Sequence, residues 1–174
     1  MSRTHVQDRI HRLRADFDSY VAAFDQHPPF DAYQLAMHQH VIALRRQLGS
    51  AEQAISSDAF LQRLRQLLEA WGMASRGAKL VDLERFQAHI RRKAEDICRL
   101  EQFTIAEPET TFTNIIPNIV AIIQTLDIND NHAKVVVGSK ALHHLLPDLI
   151  PPMDPNYTGR FFAWPRPYFQ DRQM

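Results

Sequence analysis

The sequence predicts an all-α fold, a single-domain bundle of about five to seven helices, and three observations carry that expectation. Apolar residues recur at three- and four-residue steps in five separate stretches, the period of a helix with one buried face. Glycines, prolines and capping side chains stand where those stretches would begin or end. The run that reads as a strand, AlaLysValValValGly at 133–138, has no second strand candidate to pair with.

Residues 4–25 place Val6, Ile10, Leu13, Phe17, Tyr20, Val21 and Phe24 on one helical face, and HisProPro at 27–29 stops the helix. A second helix starts after Asp31, carries Leu35, Val41, Ile42, Leu44 and Leu48, and ends at Gly49. Its opposite face bears His38, His40, Arg45 and Arg46. Ser56 and Ser57 are capping candidates for a third helix over 58–71, with Phe60, Leu61, Leu64, Leu67, Leu68 and Trp71 as its stripe and Gly72 as its stop. A fourth runs from about Asp82 to Gln102 through Leu83, Phe86, Ile90, Ala94, Ile97 and Leu100, with ArgArgLys at 91–93 on a solvated face.

The stretch TIAEPETTFTN at 104–114 is polar and rich in breakers and reads as a loop. Pro117 then suits the first turn of a fifth helix over 115–126. After a turn at 127–131, residues 133–146 read as helix, and Pro147 ends it. Asp154 before Pro155 has the pattern of an N-cap ahead of a short helix over 155–162. Residues 1–162 are therefore read as one helical domain and 163–174 as a proline/aromatic tail. That tail is too apolar to be left in water and is expected to pack on the domain or on a second subunit, so a homo-oligomer is one expectation.

Composition narrows the function. With 174 residues, 45% of them apolar and 23% charged, the chain can build one real core. Lys plus Arg and Asp plus Glu number 20 each, which argues against strong non-specific adhesion to DNA or anionic membranes while permitting a local basic patch. A lone Cys98 excludes an internal disulfide and any cysteine-rich metal site. The charged start lacks a signal-peptide core and 115–126 is too short to span a bilayer, so a cytoplasmic protein without a membrane partner is expected.

Three stretches bear chemistry. GlySerLys at 138–140 follows ValValVal rather than a run of glycines, so it cannot form a phosphate-cradling loop. His143 and His144 are neighbours pointing about 100° apart on a helix, and His38 and His40 are two apart; neither pair can face one ion, so no metal and no cofactor are expected. In TrpGlyMetAlaSerArgGlyAlaLysLeu at 71–80, glycines on either side of Arg76 imply a tight turn. Arg76 there is either a fork-shaped donor for a carboxylate or phosphate or a cap on helix-terminal carbonyls. Asp154 is either a plain cap or a site residue held for its charge.

These stretches carry a resemblance. W-G-M-x-x-R-G-x-x-L at 71–80 together with G-S-K-x-L-H-x-L-L-P-D-L-I-P-P-M-D at 138–154 resembles a family of uncharacterised bacterial proteins of about this size. Tyr157, Thr158, Phe161 and Phe162 match its continuation, so the likeness covers roughly residues 55–162, and the tail at 163–174 departs from it. It implies a shared fold and no known activity. A more distant resemblance runs to the helix–hairpin–helix DNA glycosylases, through the order of Lys140 and a proline-preceded Asp154. That resemblance implies Lys140 as a nucleophile toward a sugar carbon and Asp154 as stabiliser of the developing cation.

The expected site is a cleft between the 71–80 loop and the 138–160 corner. Lys140 and Asp154 are its catalytic candidates, and Arg76, His143, Tyr157 and Arg160 its binding candidates. The expected partner is nucleic acid, a nucleotide or another phosphate-bearing ligand. The alternative is a non-enzymatic helical interaction module whose motifs are structural. An open basic groove favours the first, and burial of the Lys140–Asp154 pair under aromatics favours the second.

Overall fold

Helix α3 (Ala32–Leu48) begins where Asp31 accepts from the Gln34 amide at 2.8 Å while the Gln34 side chain reaches back to the Asp31 amide, a reciprocal cap. It ends at Gly49, whose φ of 81° a side chain would strain. The computed structural model describes residues 3–26, 31–74, 79–130, 133–154 and 158. All elements among them are helical except an isolated bridge between Leu80 and Asn129 that ties 79–81 to 128–130. The chain is all-α, as predicted.

The described residues hold nine helices, more than expected, because two predicted helices divide and one was not foreseen. The first becomes α1 (Arg3–Ala15) and α2 (Phe17–Gln26), and the fourth becomes α6 (Leu83–Arg92) and α7 (Ala94–Leu100), parted at Lys93. The unforeseen α4 (Ala51–Ser56) is a short turn capped by Ser50 that buries Ala51, Ala54 and Ile55. Helix α5 (Asp58–Ala70) follows its stripe faithfully: Ser57 caps it, and Phe60, Leu61, Leu64, Leu67 and Leu68 are all fully buried. Each contributes roughly 1.5–3 kcal/mol by leaving water. Helix α5 lies at the centre, packed on α3, α4, α6 and α9 (Lys134–Leu145). The valine run at 135–137 is thus helical, with Val136 and Val137 in the core.

Two expectations fail. Residues 109–114 are not loop: α8 spans Glu109–Thr125 and begins directly after Pro108, with Pro117 well inside it. Pro117 costs one intrahelical hydrogen bond there, and the burial of Ile115, Ile122 and Ile123 offsets that loss. The polar face assigned to α3 holds for the exposed His40 and Arg46 but fails at Arg45. Arg45 is only 6% exposed, because its guanidinium donates to the Leu145 carbonyl at 2.9 Å and pairs with Glu101. Glu101 in turn accepts from the Ala51 amide at 2.8 Å, so the buried charge is paired and hydrogen-bonded. Arg91, Arg92 and Lys93 do lie on a solvated face, where they meet Asp58, Asp127 and Asp96 in surface ion pairs.

Gly138 sits where α9 crosses α8. A Cβ there would lie 3.2 Å from Ile123 Cγ2, closer than ordinary contact, so the glycine of the GlySerLys motif permits a close helix approach. In contrast, no described side chain of α1 or α2 is buried, and none of them belongs to the core cluster. No described helix is long and apolar enough to cross a membrane.

Candidate functional site

The face of α9 that carries Ser139, Lys140 and His143 turns toward the chain that doubles back after Pro147. Ser139 Oγ accepts from the Met153 amide at 3.0 Å and donates to the Val136 carbonyl at 3.2 Å. Lys140 Nζ lies 3.6 Å from an Asp154 carboxylate oxygen. His143 Nδ1–H donates to the Ile150 carbonyl at 2.8 Å. Three helix positions thus hold three positions of the corner, which explains the density of polar residues in this stretch. Ile150 and Leu149 close the corner by burying against the core.

Lys140 is nearly enclosed, its side chain 12% exposed, with the ammonium 5.5 Å from the Trp71 ring centre. Burial lowers its pKa, and the Asp154 charge opposes that shift. Asp154 accepts this cation while its own amide donates to Thr158 Oγ1 at 3.2 Å. Lys140 and Asp154 therefore lie together, and His143 stands on the same helix, bonded to Ile150 of the corner. Arg76, Tyr157 and Arg160, like the tail at 163–174 and most of the helix expected over 155–162, lie outside the described residues.

Sequence reasoning missed three members of the cluster, His38, Trp71 and His144. His38, projecting from α3, places its Nδ1 3.0 Å from His144 Nε2 and stacks on His143 at a ring separation of 5.8 Å. Trp71, assigned only to the core stripe of α5, stacks on His38 at 5.7 Å and meets His144 edge-on at 5.3 Å. His144 is fully buried and donates Nδ1–H to the Lys140 carbonyl at 2.7 Å. Burial drives its pKa down to about 3, and the neighbouring histidines add to that shift. Burial likewise lowers His38, with His143 adding to it, and lowers His143 against the opposing hydrogen bond to Ile150. All three imidazoles are neutral at pH 7.

The premise that His143 and His144 cannot face one ion fails, because a ligand atom of each lies within 4.8 Å of the other. Their rings diverge, 81° between planes, but His38 enters from the facing helix and closes the gap. No sequence signal links residue 38 to residues 143 and 144, since the contact is tertiary. Elsewhere, a half-open pocket of about 360 Å³ lies where α3 and α9 end, lined by Arg45, Arg46, Glu101, Phe103, Asp148 and Leu149. None of the predicted site residues lines it. Cys98 is partly buried, and burial together with Glu101 and Glu52 raises its pKa, which disfavours the thiolate.

Set against family models, curated proteins and solved structures, the chain finds no match.

Proposed function

We propose that the chain is a non-enzymatic helical interaction module in which the 138–154 motif serves the fold and the exposed face of α2 takes a second copy of the chain. The observation that carries this reading is where the motif's polar groups point: Ser139, Lys140 and His143 are each spent on Met153, Asp154 and Ile150. A lysine 12% exposed over a tryptophan does not present an open basic groove to a polyanion.

The docking face is apolar and accompanied by complementary charge. Phe17, Tyr20 and Val21 occupy one side of α2, with Phe17 and Tyr20 more than half exposed. Helix α1 carries four arginines and one aspartate, whereas α2 carries two aspartates and no basic residue. A second copy can therefore set α2 of one chain beside α1 of the other, burying the aromatics and pairing the charges. Sedimentation of the full chain over a range of concentrations tests this. Reversible dimerisation that Phe17→Ser with Tyr20→Ser abolishes, at an unchanged monomer fold, is expected; a wild-type chain that stays monomeric throughout contradicts it.

A second reading is favoured by the Lys140–Asp154 separation of 3.6 Å and by the lowered pKa of Lys140. A neutral amine at this position could attack C1′ of a damaged nucleotide, the new C–N bond forming as the glycosidic bond breaks. The departing base takes up the proton that the nitrogen sheds, and Asp154 balances the cationic sugar. Borohydride trapping on duplexes carrying damaged bases decides it. A covalent adduct lost in Lys140→Gln supports this reading, and no adduct across a panel of lesions removes it.

A further inference from the structure

We infer that His38, His143 and His144 form a binding site for a divalent late transition ion, zinc being the fitting one. One ligand atom from each residue lies within 4.8 Å of the other two. The donors come from two helices packed on each other, α3 and α9, so the core holds the set together.

The hydrogen bonds around the cluster have the form that a metal site requires. A carbonyl can only accept, so His143 and His144 both carry their proton on Nδ1, facing Ile150 and Lys140. That fixes Nε2 of each as the lone-pair atom. An outer hydrogen bond to a carbonyl of this kind orients a ligating imidazole and raises its basicity. Between His38 Nδ1 and His144 Nε2, 3.0 Å apart, one proton is now shared as a hydrogen bond. A bound ion takes the place of that proton, His38 moving its hydrogen to Nε2. Tetrahedral zinc at about 2.0–2.1 Å from each nitrogen separates ligand atoms by about 3.3 Å. The His38–His144 distance needs only a few tenths of an ångström more, and the three residues start with a ring nitrogen of each within 4.8 Å of the others.

The surroundings suit binding. Burial keeps the three rings unprotonated at neutral pH, Trp71 walls one side, and the nearby Lys140 cation is balanced by Asp154. An all-imidazole donor set selects zinc, copper, nickel or cobalt over magnesium and calcium, which want oxygen. Three protein ligands leave a fourth position for water or an exogenous donor.

The test uses the full chain stripped with chelator and titrated with cobalt(II) alone, then with zinc as competitor. One ion per chain, the visible bands of four-coordinate cobalt and their loss on adding zinc are expected. His38→Gln and His143→Gln should each weaken binding by about a hundredfold or more, at least what loss of an outer partner costs. His40→Gln, on the exposed side of α3, should leave it unchanged. His144→Ala risks the core, so His38→Gln is decisive, with its helical spectrum checked first. No cobalt bands in the wild type, or bands retained in a folded His38→Gln variant, overturns the site and leaves a purely structural histidine cluster.

Discussion

Helices α1–α2 and the α9 corner look alike in sequence: each has apolar residues at helical spacing interleaved with basic ones. Their fates differ. In α9, Val136, Val137, Ala141, Leu142 and Leu145 are all buried, and the segment after Pro147 is tied back by side chains of the same helix. In α2, Phe17, Tyr20 and Val21 face outward. An amphipathic stripe states that a face gains by leaving water; it does not state which surface will cover it. The corner is covered by this chain's own core, whereas the described apolar face of α2 stays exposed.

The largest contrast should come from truncation. Leu142→Ala, at a fully buried position, should cost about 2–5 kcal/mol in chemical denaturation, whereas Tyr20→Ala measured on the dilute monomer should stay within about 0.5 kcal/mol. Comparable losses at both positions would mean that α2 belongs to the folding unit.

The next effect concerns acid. His144 has a folded pKa of about 3, below its ordinary value near 6.5 in the unfolded chain. Above pH 6.5 neither state binds the proton, and this histidine contributes no pH dependence. As pH falls from 6.5 toward 3, only the unfolded chain takes up the proton, so stability drops, by up to about 1.4 kcal/mol for each pH unit. His38 and His143 are shifted the same way and steepen the loss. Denaturant midpoints at descending pH measure it. His144→Gln, where it folds, should flatten the slope, and a wild-type profile level down to pH 4 would contradict the buried neutral imidazole.

A smaller effect separates the two meanings of Asp154. Its carboxylate is paired with Lys140, and its amide donates to Thr158 Oγ1. Asp154→Asn should therefore lower stability by about 1–2 kcal/mol, between the exposed and fully buried limits for an orphaned partner. Adding Lys140→Met should recover most of that loss, and a double-mutant cycle reads the coupling. An Asn variant as stable as wild type would favour the plain cap over the charge pair.

How much of this was legible in the sequence follows from the range of each interaction. Helix α5 was read correctly because its five core residues and Ser57 cap are local signals. Helix α8 was misjudged at its start because ThrThrPheThrAsn has weak helical propensity and Pro117 resembles a first-turn residue; burial of its isoleucines overrides both. The Lys140–Asp154 pairing could be foreseen from order along the chain, since a proline-ended helix turns back on itself. Arg45 and His38 could not, because their partners lie about a hundred residues away on α9. A polar residue on a buried face reads as a solvated one until its partner is known.

Amide hydrogen exchange at two protein concentrations tests the division of labour between the regions most directly. Amides of α9 and the Met153 amide held by Ser139 should exchange slowly at both concentrations, since this chain alone protects them. Amides of α2 should exchange fast in the dilute chain and become protected as a second copy covers the Phe17–Tyr20 face. Slow, concentration-independent exchange in α2, or exchange at the corner as fast as in α2, would contradict it.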